Sequence, residues 1–247
     1  MENGKITRAD YQMNRLNILS QLVSLDRTEG LEIGAGDLPT IRPGTSICFH
    51  ANFRPREELI LMAEVTNPDD VPKVDYLIDR QYPLSRQIAD RKFDYIVMAH
   101  VLEHVPDPIG YLQDLVNILN NMGVILITLP DKRRTFDQKR EITPIDHILN
   151  DYYEKAKYPS IEHIMDFGRS MIDEFKDKSP IEIYKWAVTF FESGIADAHC
   201  HVWSDEYFFQ QMDYIISGNL VPGVSIVMKW PNRGEFNEFM IALQYVK

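Results

Sequence analysis

The stretch Leu31-Glu32-Ile33-Gly34-Ala35-Gly36-Asp37 decides the fold. Leu31 and Ile33, with Glu32 between them, read as the end of a buried strand. The two glycines let the backbone turn sharply and come close to a ligand. A strand running into such a turn is how α/β sheets build nucleotide sites at their carboxyl edge. A dinucleotide asks for Gly-x-Gly-x-x-Gly, but the sixth position is Pro39, which has no amide hydrogen for a phosphate. Glu32, two residues before Gly34, suits a ligand with a positive amino group instead. Taken alone, the motif also fits an ordinary strand-to-loop turn.

Working outward, residues 8–25 carry apolar side chains at helical spacing. Thr45 to Phe49 reads as a second strand, and Pro55 opens a helix. Val74 to Ile78 reads as a third strand, and Phe93 to Met98 as a fourth of strong β character. Pro108 starts a helix, with Gly123 expected as its left-handed cap. Val124 to Pro130 is a continuous apolar run, as in a strand buried on both faces. Residues 131–200 read as helical, with starts at Thr143-Pro144, Ser160 and Ser179-Pro180. Ser204 caps a helix through Ile216. Val221–Lys229 and Glu235–Val246 form a closing antiparallel hairpin, its first strand expected beside the ligand half of the sheet.

The chain of 247 residues suits one large α/β domain, residues 1–247, with or without an inserted cap. A net charge of −11 leaves no basic stripe for nucleic acid. No run approaches the ~18 apolar residues of a membrane span. The first residues lack a signal-peptide core. Two cysteines, Cys48 and Cys200, form no framework, so a reduced, cytoplasmic setting is expected.

The blocks FDYIVMAHVLEHVPDPIGYLQDL (93–115) and MGVILITLPDKRRTFD (122–137) resemble the fourth and fifth motifs of class I S-adenosylmethionine (SAM) methyltransferases. The blocks ITPIDHILNDYYE (142–154) and HCHVWSDEYFFQQM (199–212) resemble a subfamily often found with bacterial glycan and cell-surface biosynthesis enzymes. The resemblance implies a Rossmann-like seven-stranded α/β sheet. It implies SAM as cofactor, met by Glu32, Gly34, Gly36, Asn52, Asp79, His100 and His104. Such proteins usually carry an acid after the second strand; His50 and Asn52 stand there instead. Asp79 falls where the fold holds the adenine amino group, or it caps a helix. Residues 131–200 become a helical lid and acceptor pocket, or alternatively a homodimer contact.

Methyl transfer from a sulfonium needs alignment and, for a hydroxyl acceptor, a base. The candidate bases are His100, His104, Asp131, His147, His199 and His201, each with a structural hydrogen bond as its plain alternative. In extended chain His199 and His201 share a face. With His147 or Asp131 they could hold a divalent metal, against the alternative of one base plus one positioning histidine. No HExxH or CxxC spacing supports zinc, and no metal is expected. Lys132 and Arg133 could hold an anionic acceptor, or be a solvated charge run. The expected activity is methylation, at oxygen, of a small or carbohydrate-like polar acceptor. The rivals are a catalytically silent partner protein and a metal-dependent hydrolase using the His199/His201 pair.

Overall fold

The computed structural model describes residues 6–42, 44, 46–62, 64–88, 91–194 and 197–247. Thr7 opens α1 (Arg8–Ser20) through a capping box: its hydroxyl accepts the Asp10 amide, and the Asp10 carboxylate accepts the Thr7 amide. There follow β1 (Glu29–Ile33), β2 (Ile47–Asn52), α2 (Arg56–Leu59), β3 (Tyr76–Leu77), α3 (Leu84–Gln87), β4 (Phe93–Ala99), α4 (Pro108–Val116) and β5 (Leu119–Pro130). Thr45, which the sequence expects to open β2, lies outside the described residues.

Strand five differs from expectation at its start. It begins at Leu119 rather than Val124, and Met122, not Gly123, takes the left-handed conformation at φ 67°. The register against β4 jumps from Phe93↔Leu119 to Tyr95↔Val124, so the intervening residues bulge out instead of capping α4.

The segment between β5 and the closing strands holds α5 (Ile145–Glu154), α6 (Ile161–Met171) and α7 (Pro180–Glu192). All three start where the Pro and Ser signals place them, and Ser160 and Ser179 both form capping boxes. Ile164, Ala187 and Ala198 make a small core of their own, with Trp186 and Phe190 packed on it. The chain returns through α8 (Asp205–Ser217), β6 (Val224–Trp230) and β7 (Glu238–Tyr245).

The sheet order is β3-β2-β1-β4-β5-β7-β6 among the described residues. β1 to β5 are parallel, and β7 runs antiparallel between β5 and β6. β6 is therefore the far edge strand and does not lie beside β1 to β3, because β7 takes the place next to β5. The interior strands alternate between two cores, as period-two side chains must. Ile96, Met98, Ile125 and Ile127 meet α4 and α8 on one face; Tyr95, Val97, Val124 and Leu126 meet Ile18 and Leu19 of α1 on the other. The chain winds outward from β1 to β3 and then crosses back to β4. That reversal opens a crevice between the carboxyl ends of β1 and β4. No helix among the described residues is long and apolar enough to cross a membrane.

Candidate functional site

Gly34 (φ 70°) and Gly36 (φ 54°) both turn left-handed after β1. A Cβ on Gly34 would fall 2.6 Å from Val101 Cγ2, whereas one on Gly36 meets nothing within 4 Å among the described residues. Gly36 thus leaves open backbone at the crevice, a cradle that a side chain would fill. Asn52 ends β2 beside this loop, with its Oδ1 accepting the Arg54 amide at 3.2 Å. His50 is buried one turn of the pleat below, 3.8 Å from Glu32, and burial lowers its pKa. Only Asn52 stands at the edge. Asp79, past β3, accepts the Gln81 amide at 2.8 Å in an exposed turn.

Glu32 lies near the end of β1, as the sequence places it, and turns inward. Its side chain is fully buried, and its carboxylate accepts the amides of Thr40 (2.7 Å) and Ile41 (3.2 Å). Burial outweighs these bonds and raises its pKa. It ties the loop back on itself.

The carboxyl end of β4 carries the denser chemistry. His100 sits there in a left-handed conformation, φ 56°, rare for a residue with a side chain. Its Nε2 lies 2.9 Å from Glu238 Oε2, and Arg15 grips the same carboxylate at 3.0 and 2.6 Å. Burial would raise the pKa of Glu238, but His100 and Arg15 outweigh it and hold the carboxyl below its ordinary range. The carboxylate accepts, so Nε2 carries a proton, and in the neutral form of the ring Nδ1 holds the lone pair.

Three residues on, Glu103 is 1% exposed, and neither of its carboxylate oxygens has a hydrogen-bond partner among the described residues. His104 Nδ1 lies 3.0 Å from Asp197 Oδ1. Burial disfavours charge on His104, yet Asp197 and Glu103 outweigh it and raise its pKa. His199 joins this group from beyond α7. Its ring packs edge-on to His104 and against Phe136, and its Nδ1 lies 2.6 Å from Asp137 Oδ2. Arg140 fixes the dyad, donating to Asp137 Oδ1 (2.8 Å) and to the His199 carbonyl (2.8 Å). Asp137 escapes a sequence reading because it lies 62 positions from its partner.

His199 and His201 do not share a face. Residues 197–204 are irregular, so the two-residue period of a strand does not apply. His201 points into a second cluster with His147, Asp151 and His163. Its Nε2 donates to the Pro106 carbonyl at 3.1 Å, and burial pushes its pKa down to about 3, so it is neutral and unsuited to take a proton at ordinary pH. His163 Nδ1 accepts the Ser160 amide, which places its proton on Nε2, 2.6 Å from His147 Nε2. Protons already occupy the ring nitrogens through which His163 and His201 approach this cluster.

Asp131 is likewise removed from the candidate bases. It is fully buried and accepts from Arg133 Nε and Nη2 (2.9 and 2.6 Å) and from Asn232. Burial would raise its pKa, but Arg133 and Asn232 outweigh it and lower it. Arg133 also pairs with Asp205, and Lys132 donates to the Gln138 carbonyl. Arg133 still lines an open cleft of about 560 Å³ with Arg134 and Arg233.

A family model described as "Methyltransferase domain" matches residues 20–213. The chain belongs to this methyltransferase family. The class I SAM-dependent expectation holds with it, and SAM is the cofactor of the reaction. Among solved structures of this fold, the CurJ carbon methyltransferase aligns with a TM-score of 0.52 at 13% identity, over 98% of this chain and 56% of that one. The plantazolicin methyltransferase BpumL aligns with a TM-score of 0.50 at 14% identity, over 97% of this chain and 85% of that one. A tRNA U34 carboxymethyltransferase of Aliarcobacter butzleri is 34% identical over 88 residues, 31% of this chain. That match spans 29% of the relative's length, so it says nothing of the acceptor.

Proposed function

We propose that this methyltransferase methylates a hydroxyl oxygen of a small or carbohydrate-like polar acceptor, with His100 taking the hydroxyl proton. The observation that carries this is the His100–Glu238–Arg15 chain at the carboxyl end of β4. It presents a lone pair on Nδ1 of a partly exposed imidazole and braces the opposite nitrogen, the arrangement of an oriented general base. Bound SAM supplies an activated methyl group whose sulfur keeps the bonding pair. Gly34 and Gly36 form its cradle and Asn52 takes the ribose hydroxyls, more weakly than an acid would. Asp79 is the candidate for the adenine amino group.

Residues 131–200 act as lid and acceptor pocket. Support comes from their ties to the sheet edge: Arg80, just past β3, pairs with Asp197 at 3.4 Å, and Lys157 donates to the Gln81 carbonyl. His104 and His199 line the acceptor side. The Arg133, Arg134 and Arg233 cleft would suit an anionic group such as a uronate or sugar phosphate. Two free cysteines, half-buried Cys48 and buried Cys200, support a reducing, cytoplasmic setting.

The test is release of S-adenosylhomocysteine from SAM against a panel of sugar, uronate and sugar-phosphate acceptors. His100→Gln is expected to cost ~10²-fold in turnover, while S-adenosylhomocysteine affinity stays within about threefold. Full turnover in His100→Gln removes it as the base. No binding of S-adenosylhomocysteine by the wild type at millimolar concentration removes the activity altogether.

A further inference from the structure

We propose that Glu103, His104 and His199 bind a divalent first-row metal ion of the zinc or manganese class, which holds the acceptor oxygen next to His100. This extends the site above, and its metal-binding part stands independently of which acceptor is used.

Glu103 is the starting point. A carboxylate that is 1% exposed, with both oxygens lacking hydrogen bonds among the described residues, is strongly disfavoured unless a cation meets it. The nearest imidazole nitrogens, His100 Nδ1 at 3.9 Å and His104 Nε2 at 4.0 Å, stand beyond hydrogen-bond range. They surround the carboxylate without satisfying it.

His199 is prepared as a metal ligand is. Asp137 is hydrogen-bonded to Nδ1 of His199 at 2.6 Å, whereas Asp197 lies 3.0 Å from Nδ1 of His104 as an ion pair outside hydrogen-bond geometry. A carboxylate on one ring nitrogen holds the proton there and turns the other lone pair outward, the outer-shell arrangement found behind ligating histidines. One donor atom from each of Glu103, His104 and His199 lies within 4.8 Å of the others. Donors around one ion at zinc-like bond lengths stand roughly 3–3.5 Å apart, so a pair at the 4.8 Å limit must close by roughly 1.3–1.8 Å. The backbone already joins the two segments: the Glu103 carbonyl accepts the amides of Cys200 (2.7 Å) and His201 (3.2 Å). The cluster of His147, Asp151, His163 and His201 is richer in imidazole but lacks this preparation, because the His163 and His201 nitrogens facing it carry protons.

Two imidazoles and one carboxylate select a transition-metal dication over magnesium and leave coordination positions open. An acceptor hydroxyl in such a position is acidified by the ion. Its proton passes to the His100 Nδ1 lone pair, and the oxygen keeps the O–H bonding pair for the methyl group.

The test is zinc titration calorimetry on chelator-stripped protein, with Co²⁺ absorption on the wild type as a second probe. The expected result is one Zn²⁺ per chain, and Co²⁺ bands of a site without thiolate. Glu103→Gln and His199→Ala should weaken binding ~10²-fold or more, and Asp137→Asn by ~10–100-fold through His199 alone. Zinc should raise the melting temperature of the wild type and leave that of Glu103→Gln unchanged. His147→Ala should bind zinc as the wild type does. Absence of stoichiometric zinc and cobalt binding in the wild type overturns the proposal. So does wild-type affinity in Glu103→Gln, or loss of binding in His147→Ala. Retained S-adenosylhomocysteine binding in the same samples separates a failed metal site from a failed cofactor site.

Discussion

Replacing Arg15 with Met tests whether the His100 brace rests on a buried charge. Arg15 and Glu238 are 4% and 2% exposed, and two hydrogen bonds join them. Removing one partner of a buried pair costs ~3–5 kcal/mol, because the other charge stays behind. Glu238 can escape part of this by taking a proton. From its ordinary pKa of 4.5, protonation at pH 7 costs about 3.4 kcal/mol, at about 1.36 kcal/mol per pH unit. The expected loss at pH 7 is therefore about 3 kcal/mol, or roughly 6–12 °C in melting temperature at ~2–4 °C per kcal/mol for a chain of this size.

The sign with pH follows from linkage. In the wild type the folded-state pKa of Glu238 is depressed, so its stabilisation is present above 4.5 and lost as pH falls through the folded value. In Arg15→Met the folded pKa rises, so the variant loses least at low pH. At pH 5 the protonation cost falls to about 0.7 kcal/mol, and the gap from wild type should shrink accordingly. Urea unfolding at pH 5 and 7 measures both gaps. The double variant Arg15→Met/Glu238→Gln should recover most of the loss. A gap that is the same at both pH values, or a double variant no more stable than the single one, would refute the charge argument.

Two further outcomes concern the cofactor edge. Gly34→Ala should destabilise the fold by more than the ~1–2 kcal/mol of left-handed strain, because its Cβ also meets Val101. Gly36→Ala should cost only that strain in unfolding measurements, yet weaken S-adenosylhomocysteine in calorimetry, since its methyl points into open space. Equal stability losses with unchanged affinity would move the cofactor away from Gly36. Asn52→Asp should tighten SAM binding several-fold, because a charged acceptor holds hydroxyls more strongly. Weaker binding would take the ribose away from the end of β2.

Local signals determined much of this protein from sequence alone. The apolar runs of β4 and β5, the glycine turn after β1 and the Pro and Ser starts of α5, α6 and α7 depend on near neighbours. Each was readable because period, cap and φ preference act within a few residues. The partners of the site were not readable. Glu32 and Glu103 are both acids near strand ends, and only tertiary packing leaves one bonded to Thr40 and Ile41 and the other without a hydrogen bond among the described residues. His199 and His201 look paired by spacing. They part because residues 197–204 follow no strand: their amides bond to Glu103 and Thr143, and each ring turns toward a different neighbour. The carboxylates that orient His199 and His100 lie 62 and 138 positions away. Contacts of that reach arise only when the sheet order and the packing of the helices after β5 bring distant segments together, so the site belongs to the tertiary structure.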